Sequence, residues 1–92
     1  MDGHLWVAEL YISSRVISKI NAKHRVTADE ITDAVRCRRR LAYWRDEDDI
    51  HGLRYLVKPR IRGQVWLIPL YPSKQEDRYA LGTAYPLTGW SR

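Results

Sequence analysis

The sequence predicts an α+β domain: a first strand, two short helices, then three or four antiparallel strands, with both helices packed on one face of the sheet. Two patterns carry that expectation. Helical spacing of apolar residues is confined to the stretch between residues 13 and 41. Beyond it, "LRYLVKPRIRG" (53–63) alternates, with Leu53, Tyr55, Val57, Pro59 and Ile61 at odd positions. Arg54, Lys58, Arg60 and Arg62 stand at even positions, Leu56 being the exception. A two-residue period belongs to a strand, whose successive side chains point to opposite faces.

The elements follow in order. "LWVAELYI" (5–12) is almost wholly apolar and reads as one mostly buried strand. Ser13 and Ser14 can cap a helix in which Val16, Ile17, Ile20 and His24 share one face. Thr27 and Glu30 have the spacing of a capping box, and Val26 and Ile31 that of a hydrophobic staple. The helix they open places Ile31, Ala34 and Val35 toward the core and leaves Arg36 to Arg40 at its end, where the helix dipole favours cations. "LAYWR" (41–45) suits a strand, and the acidic run Asp46 to Asp49 with Gly52 suits a solvated turn. The strand 53–62 then turns at Gly63 into "QVWLIPLY". Pairing Ile61 with Val65 leaves a three-residue loop, Arg62 to Gln64, and sets Trp66 across from Arg60 on the wet face. Pro69 removes a ladder donor and implies an edge or a bulge. "RYALGTAYP" (78–86) is the last strand.

A chain of 92 residues makes a single domain, 1–92, with one small core. Cys37 is the only cysteine, which excludes an intramolecular disulfide and a four-thiolate zinc site and fits a reducing, cytoplasmic setting. No apolar run is long enough to span a bilayer, so no membrane partner is expected. Three scattered histidines make no metal-ligand spacing, and no cofactor motif is present: His4 falls near the N-terminus, His51 in the acidic turn, and His24 at a helix end where a half-buried structural role is the simplest reading.

A net charge of +5 favours an anionic partner. On the expected sheet, Arg54, Lys58 and Arg60, with Arg62 at the loop, face solvent without an acid among them, and Trp66 lies beside them. Cations that track phosphates next to rings that stack bases are what single-stranded nucleic acid requires. Cleavage of RNA needs no metal when the 2′-hydroxyl is the nucleophile; positioning, an acid or base, and cations around the phosphorane suffice.

The text "NAKHRVTADEITDAV" (21–35) and "DEDDIHGLRYLVKPRIRGQVWLIPLYP" (46–72) resembles the RelE/ParE superfamily of bacterial type II toxins, in its BrnT-like branch. Chains of that branch carry "N..KHG", a helix opening "S.EEA", an Asp-rich loop, a strand, a glycine hairpin and "LLVVVYT". Arg25 stands here where the family has glycine. The resemblance spans nearly the whole chain and implies a RelE-like fold and a messenger-RNA endoribonuclease, ribosome-associated or not, that arrests growth and is silenced by a cognate antitoxin. The site residues it implies are Lys23, His24, Arg60, Arg62 and Arg78. The family's last strand reads "R.ISAR", whereas this chain has "RYALGTAYPL": Arg78 is kept, the later arginine is absent, and Tyr79 or Tyr85 stands as a replacement. A non-catalytic RNA- or DNA-binding module, a basic face built for an acidic antitoxin, and a ParE-like gyrase poison are the competing expectations, and both a homodimer and a toxin–antitoxin hetero-oligomer stay open.

Overall fold

The structure, a computed structural model that describes residues 2–87, is an α+β domain with two helices and a curled, mixed sheet. The elements are β1 (His4–Leu5), β2 (Glu9–Tyr11), α1 (Ser14–His24), α2 (Ala28–Val35), β3 (Leu41–Asp48), β4 (Gly52–Val57), β5 (Arg60–Ile61), β6 (Gln64–Pro72), β7 (Arg78–Leu81) and β8 (Tyr85–Pro86). The sheet is thus larger than the three or four strands expected, and not purely antiparallel. Its order is β1-β3-β4-β6-β7-β2, with β5 and β8 also paired to β6.

The expected first strand is divided. Leu5 pairs with Leu41 at one end of the order, and Glu9 pairs in parallel with Arg78 at the other. Four Cα steps reach at most about 14 Å, whereas five strand spacings laid flat would separate the two edges by about 24 Å. The sheet therefore curls until residues 6–8 can cross between its edges. Val7 is fully buried on that crossing, its carbonyl accepting from Cys37 N at 2.8 Å, while Trp6 stays 42% exposed.

Local chemistry fixes both helices. The Ser13 hydroxyl accepts from Val16 N at 3.2 Å to start α1, and Arg25, at φ 56°, ends it. The Thr27–Glu30 capping box closes in both directions at 3.2 Å, and the staple pair Val26 and Ile31 is buried. From α1 and α2, Ile20, Ile31 and Val35 meet Val57, Ile61, Trp66, Ile68, Leu70 and Leu81 of the sheet. Glu30 also grips Arg62, with Nε to Oε2 at 2.7 Å and Nη2 to Oε1 at 2.8 Å, which ties α2 to the β5–β6 turn. The Arg62 guanidinium, then the Thr27 amide, hold the Glu30 carboxyl below its ordinary 4.5. A lowered folded-state value means that this stabilisation is complete above about 4.5 and drains as pH falls through the folded value. Glu30→Gln is expected to lower the melting temperature by a few degrees at pH 7 and progressively less toward pH 3, as read by circular dichroism of both chains.

Three expectations are corrected here. The acidic run is strand as far as Asp48, because Asp46 pairs with Arg54 and its carboxylate meets that guanidinium at 2.7 Å. The hairpin after β5 has a two-residue loop: Arg60 pairs with Val65 and Ile61 with Gln64, so Arg62 (φ 55°) and Gly63 (φ 76°) make the turn. Two successive left-handed residues match the twist of a hairpin. The same register pairs Val57 with Ile68 and Tyr55 with Leu70, which sends Trp66, Ile68 and Leu70 inward. Trp66 is consequently 4% exposed and cannot stack a base on the outer face. Pro69 sits in an interior strand. Opposite it, residues 82–84 bulge between β7 and β8, since Leu70 pairs with Leu81 but Leu67 with Tyr85.

Candidate nucleic-acid interface

Antiparallel partners share a face, so the pairs Trp44–Leu56 and Asp46–Arg54 place Trp44, Asp46, Arg54 and Leu56 on the outer face. By strand alternation Lys58 and Arg60 follow on that face toward the β5–β6 turn. At that end lies a cleft of about 480 Å³ lined by Arg38, Arg39, Arg40, Trp44, Lys58 and Arg60, together with apolar residues and, among the described residues, no carboxylate.

The cleft arises from how α2 stops. Arg36 leaves the helix in an extended conformation, Cys37 reverses the chain at φ 55°, and Arg38 to Arg40 lead into β3. Two of the arginines are used as struts. Arg36 Nε donates to Ala8 O at 3.0 Å, holding the crossing segment, and Arg38 Nε donates to Asp33 O at 2.8 Å near the helix end. Arg39 and Arg40 are exposed. From the facing wall, Lys58 Nζ stands 4.4 Å from the centre of the Trp44 ring, a cation–π contact.

At the other end of the same face the polar groups are interlocked. Asp46, which meets the Arg54 guanidinium at 2.7 Å, and then Tyr71 raise the Arg54 pKa. His51 Nδ1 lies 2.5 Å from Asp48 Oδ2, which also accepts from the His51 amide at 3.2 Å. The bond to His51 keeps the Asp48 carboxyl below its ordinary value. The imidazole meets the Tyr71 ring edge-on, centroids 5.7 Å apart. Tyr71 is itself seated on Gly82, where a Cβ would fall 2.5 Å from its Cε2, so the bulge needs a glycine for this ring to lie flat. The expected acid-free face is therefore acid-free only around the cleft.

The residues singled out from sequence fall into separate places. Lys23, His24 and Tyr85 come together, lining a second cleft of about 260 Å³ with Lys19 and Thr83. The His24 ring is half-buried and packs edge-on against Trp66, centroids 5.3 Å apart. Arg62 reaches Arg25 O at 3.1 Å, but its guanidinium is committed to Glu30. Arg78 lies on β7, beside the far edge strand β2, bonded to Gln75 Oε1 at 2.5 Å and 3.4 Å from Glu9 Oε2. Tyr79, beside it, stacks edge-on with Tyr55, and burial raises its hydroxyl pKa. Arg54, Lys58 and Arg60 are on the outer face as expected, with Arg54 paired to Asp46. Arg38 to Arg40, Trp44 and the Asp48–His51 pair were not among the expected site residues. Only the arginine run gave a signal, and helix-dipole complementarity accounted for it.

Among the described residues no group of three or more His, Cys, Asp or Glu side chains could hold a metal, and no helix is long and apolar enough to cross a membrane. Compared with known protein families, curated proteins and solved structures, the chain matches none.

Proposed function

We propose that this protein binds single-stranded RNA, seating phosphates on Arg39, Arg40, Lys58 and Arg60 and a base on Trp44. One observation carries the reading: two segments distant in sequence, 38–44 and 58–60, line one cleft with five cations and an indole and, among the described residues, no carboxylate. An acidic protein would need the charge but not the ring. The preference for RNA over DNA comes from the resemblance to toxin endoribonucleases. Counterion release provides the test. Arg39→Ala/Arg40→Ala is expected to weaken binding of a fluorescent RNA oligonucleotide and to flatten its log–log salt slope by about 1.4, or about 0.7 for each phosphate no longer neutralised. Lys74→Ala, in an exposed loop away from the cleft, serves as the control of equal charge type. A slope equal to wild type in the double variant refutes the cleft.

A second reading adds chemistry to binding: a metal-independent endoribonuclease acting as a growth-arresting toxin. It is favoured by two imidazoles in polar surroundings, His24 with Lys23 and Tyr85 in a cleft beside α1, and His51 with Asp48 and Tyr71 on the outer face.

A further inference from the structure

We infer that the Asp48–His51 pair, with Tyr71 and Arg54, forms an acid–base centre that cuts single-stranded RNA held in the cationic cleft at the opposite end of the outer face. The inference rests on the RNA-binding reading and extends it to a site of chemistry.

The imidazole is held in a defined orientation. Asp48 Oδ2 accepts from both the backbone amide and the ring Nδ1 of His51, so the carboxylate fixes the turn and the imidazole together. A ring that donates Nδ1–H to a carboxylate keeps its lone pair on Nε2, the form that accepts a proton, and the carboxylate stabilises the imidazolium that results. The His51 side chain is 64% exposed, so Nε2 can be reached by a substrate. His24 has neither property: its ring is half-buried on Trp66, and no carboxylate contacts it among the described residues.

The pair also has an acid and a cation beside it. Tyr71 offers a hydroxyl on a ring that packs edge-on with His51, and continuing the β4–β6 register sets Tyr71 across from Arg54, whose pKa it raises. Arg54 is itself held by Asp46 at 2.7 Å. The same face runs on without a break to the cleft. Arg54 and Lys58 stand four residues apart on it, about 13 Å along a strand, so a strand of RNA seated at Trp44 and Lys58 passes Arg54 within a few nucleotides.

The step balances without a metal. The 2′ oxygen bonds to the adjacent phosphorus as its proton passes to His51 Nε2. The bond from phosphorus to the 5′ oxygen breaks, and that oxygen takes the Tyr71 hydroxyl proton. Arg54 stabilises both the phosphorane and the tyrosinate. The products are a 2′,3′-cyclic phosphate and a 5′-hydroxyl end, and one proton returning from imidazolium to tyrosinate restores the site.

The test is a paired measurement of binding and cutting on one end-labelled RNA oligonucleotide. Wild type is expected to cut it, leaving cyclic-phosphate ends, and to spare an all-2′-deoxy copy. His51→Ala is expected to bind with wild-type affinity and cut at least about 100-fold more slowly, the usual range for a lost acid–base group. Added imidazole is expected to restore part of that rate, and Asp48→Asn to give an intermediate loss. RNA that is bound but left whole by wild type overturns this inference alone, as does undiminished cutting by His51→Ala. Loss of cutting in His24→Ala with full cutting in His51→Ala assigns the chemistry to the cleft beside α1 and overturns it too. Failure of wild type to bind RNA overturns the binding reading along with it.

Discussion

Trp44→Ala is expected to weaken single-stranded RNA binding by about 5- to 150-fold, the value of one base–aromatic stack at about 1–3 kcal/mol. Trp44 is half-buried on the cleft wall beneath Lys58, so the truncation removes a ring and leaves the cations where they are. The salt slope should therefore stay at the wild-type value while the affinity falls. This is the reverse of the arginine variants, in which slope and affinity change together. Trp44→Tyr, which keeps a flat face, is expected to recover most of the loss. Equal affinities of wild type and Trp44→Ala would leave the indole as a structural partner of Lys58 and reduce the cleft to a patch of charge. Thermal melts of the same samples separate lost binding from lost folding.

The largest effect on stability is expected at Trp66. Trp66→Ala should cost about 3–5 kcal/mol, a large part of the roughly 5–15 kcal/mol typical of a whole domain. Its neighbour Leu67, on the outer face and half-buried, should cost far less when truncated. That ordering tests the hairpin register directly, because a three-residue loop would exchange the two faces and make Leu67 the expensive position. Trp66→Phe is expected to be mild. Among the described residues the buried indole Nε1 has no hydrogen-bond partner, and leaving such a donor unpaired costs about 1–3 kcal/mol. Phenylalanine removes that donor, keeps most of the ring and still faces His24. Urea midpoints for the four chains decide the matter.

The helices were legible because their signals are local. A capping box and a staple lie within a few residues of each other, and the structure contains both. The register of β6 was not legible, because residues 65–71 are apolar on both faces and either choice of inward side looks sound from pattern alone. The turn was hidden as well. Arg62 adopts a left-handed conformation that an arginine rarely takes, held there by Glu30 from 32 positions away. The site inherits both effects. The apolar pattern alone turns Trp66 outward through the register. The meeting of Trp44 with Lys58 depends on the β3–β4 pairing and leaves no local signal. His51 looks like a loop residue in sequence, and its partnership with Tyr71 depends on how β6 lies beside β4 and on a glycine in the bulge. The arginine run 38–40 had a sufficient explanation within its own helix, and only the facing wall contributed by Lys58 and Arg60 turns it into a cleft.

The parallel pairing of β2 with β7 has a kinetic consequence. Glu9 and Arg78 are about 70 residues apart, so the seam of the sheet joins segments made far apart in synthesis. While the chain emerges from the ribosome, α1, α2 and the β3–β4 hairpin can assemble, but the edge of β2 has no neighbour until β7 follows. The nascent chain thus carries an open strand edge and a half-covered core until β7 has been made. Closure is a single late event, and conditions that stall translation near the β6–β7 loop would hold the protein in its most aggregation-prone form.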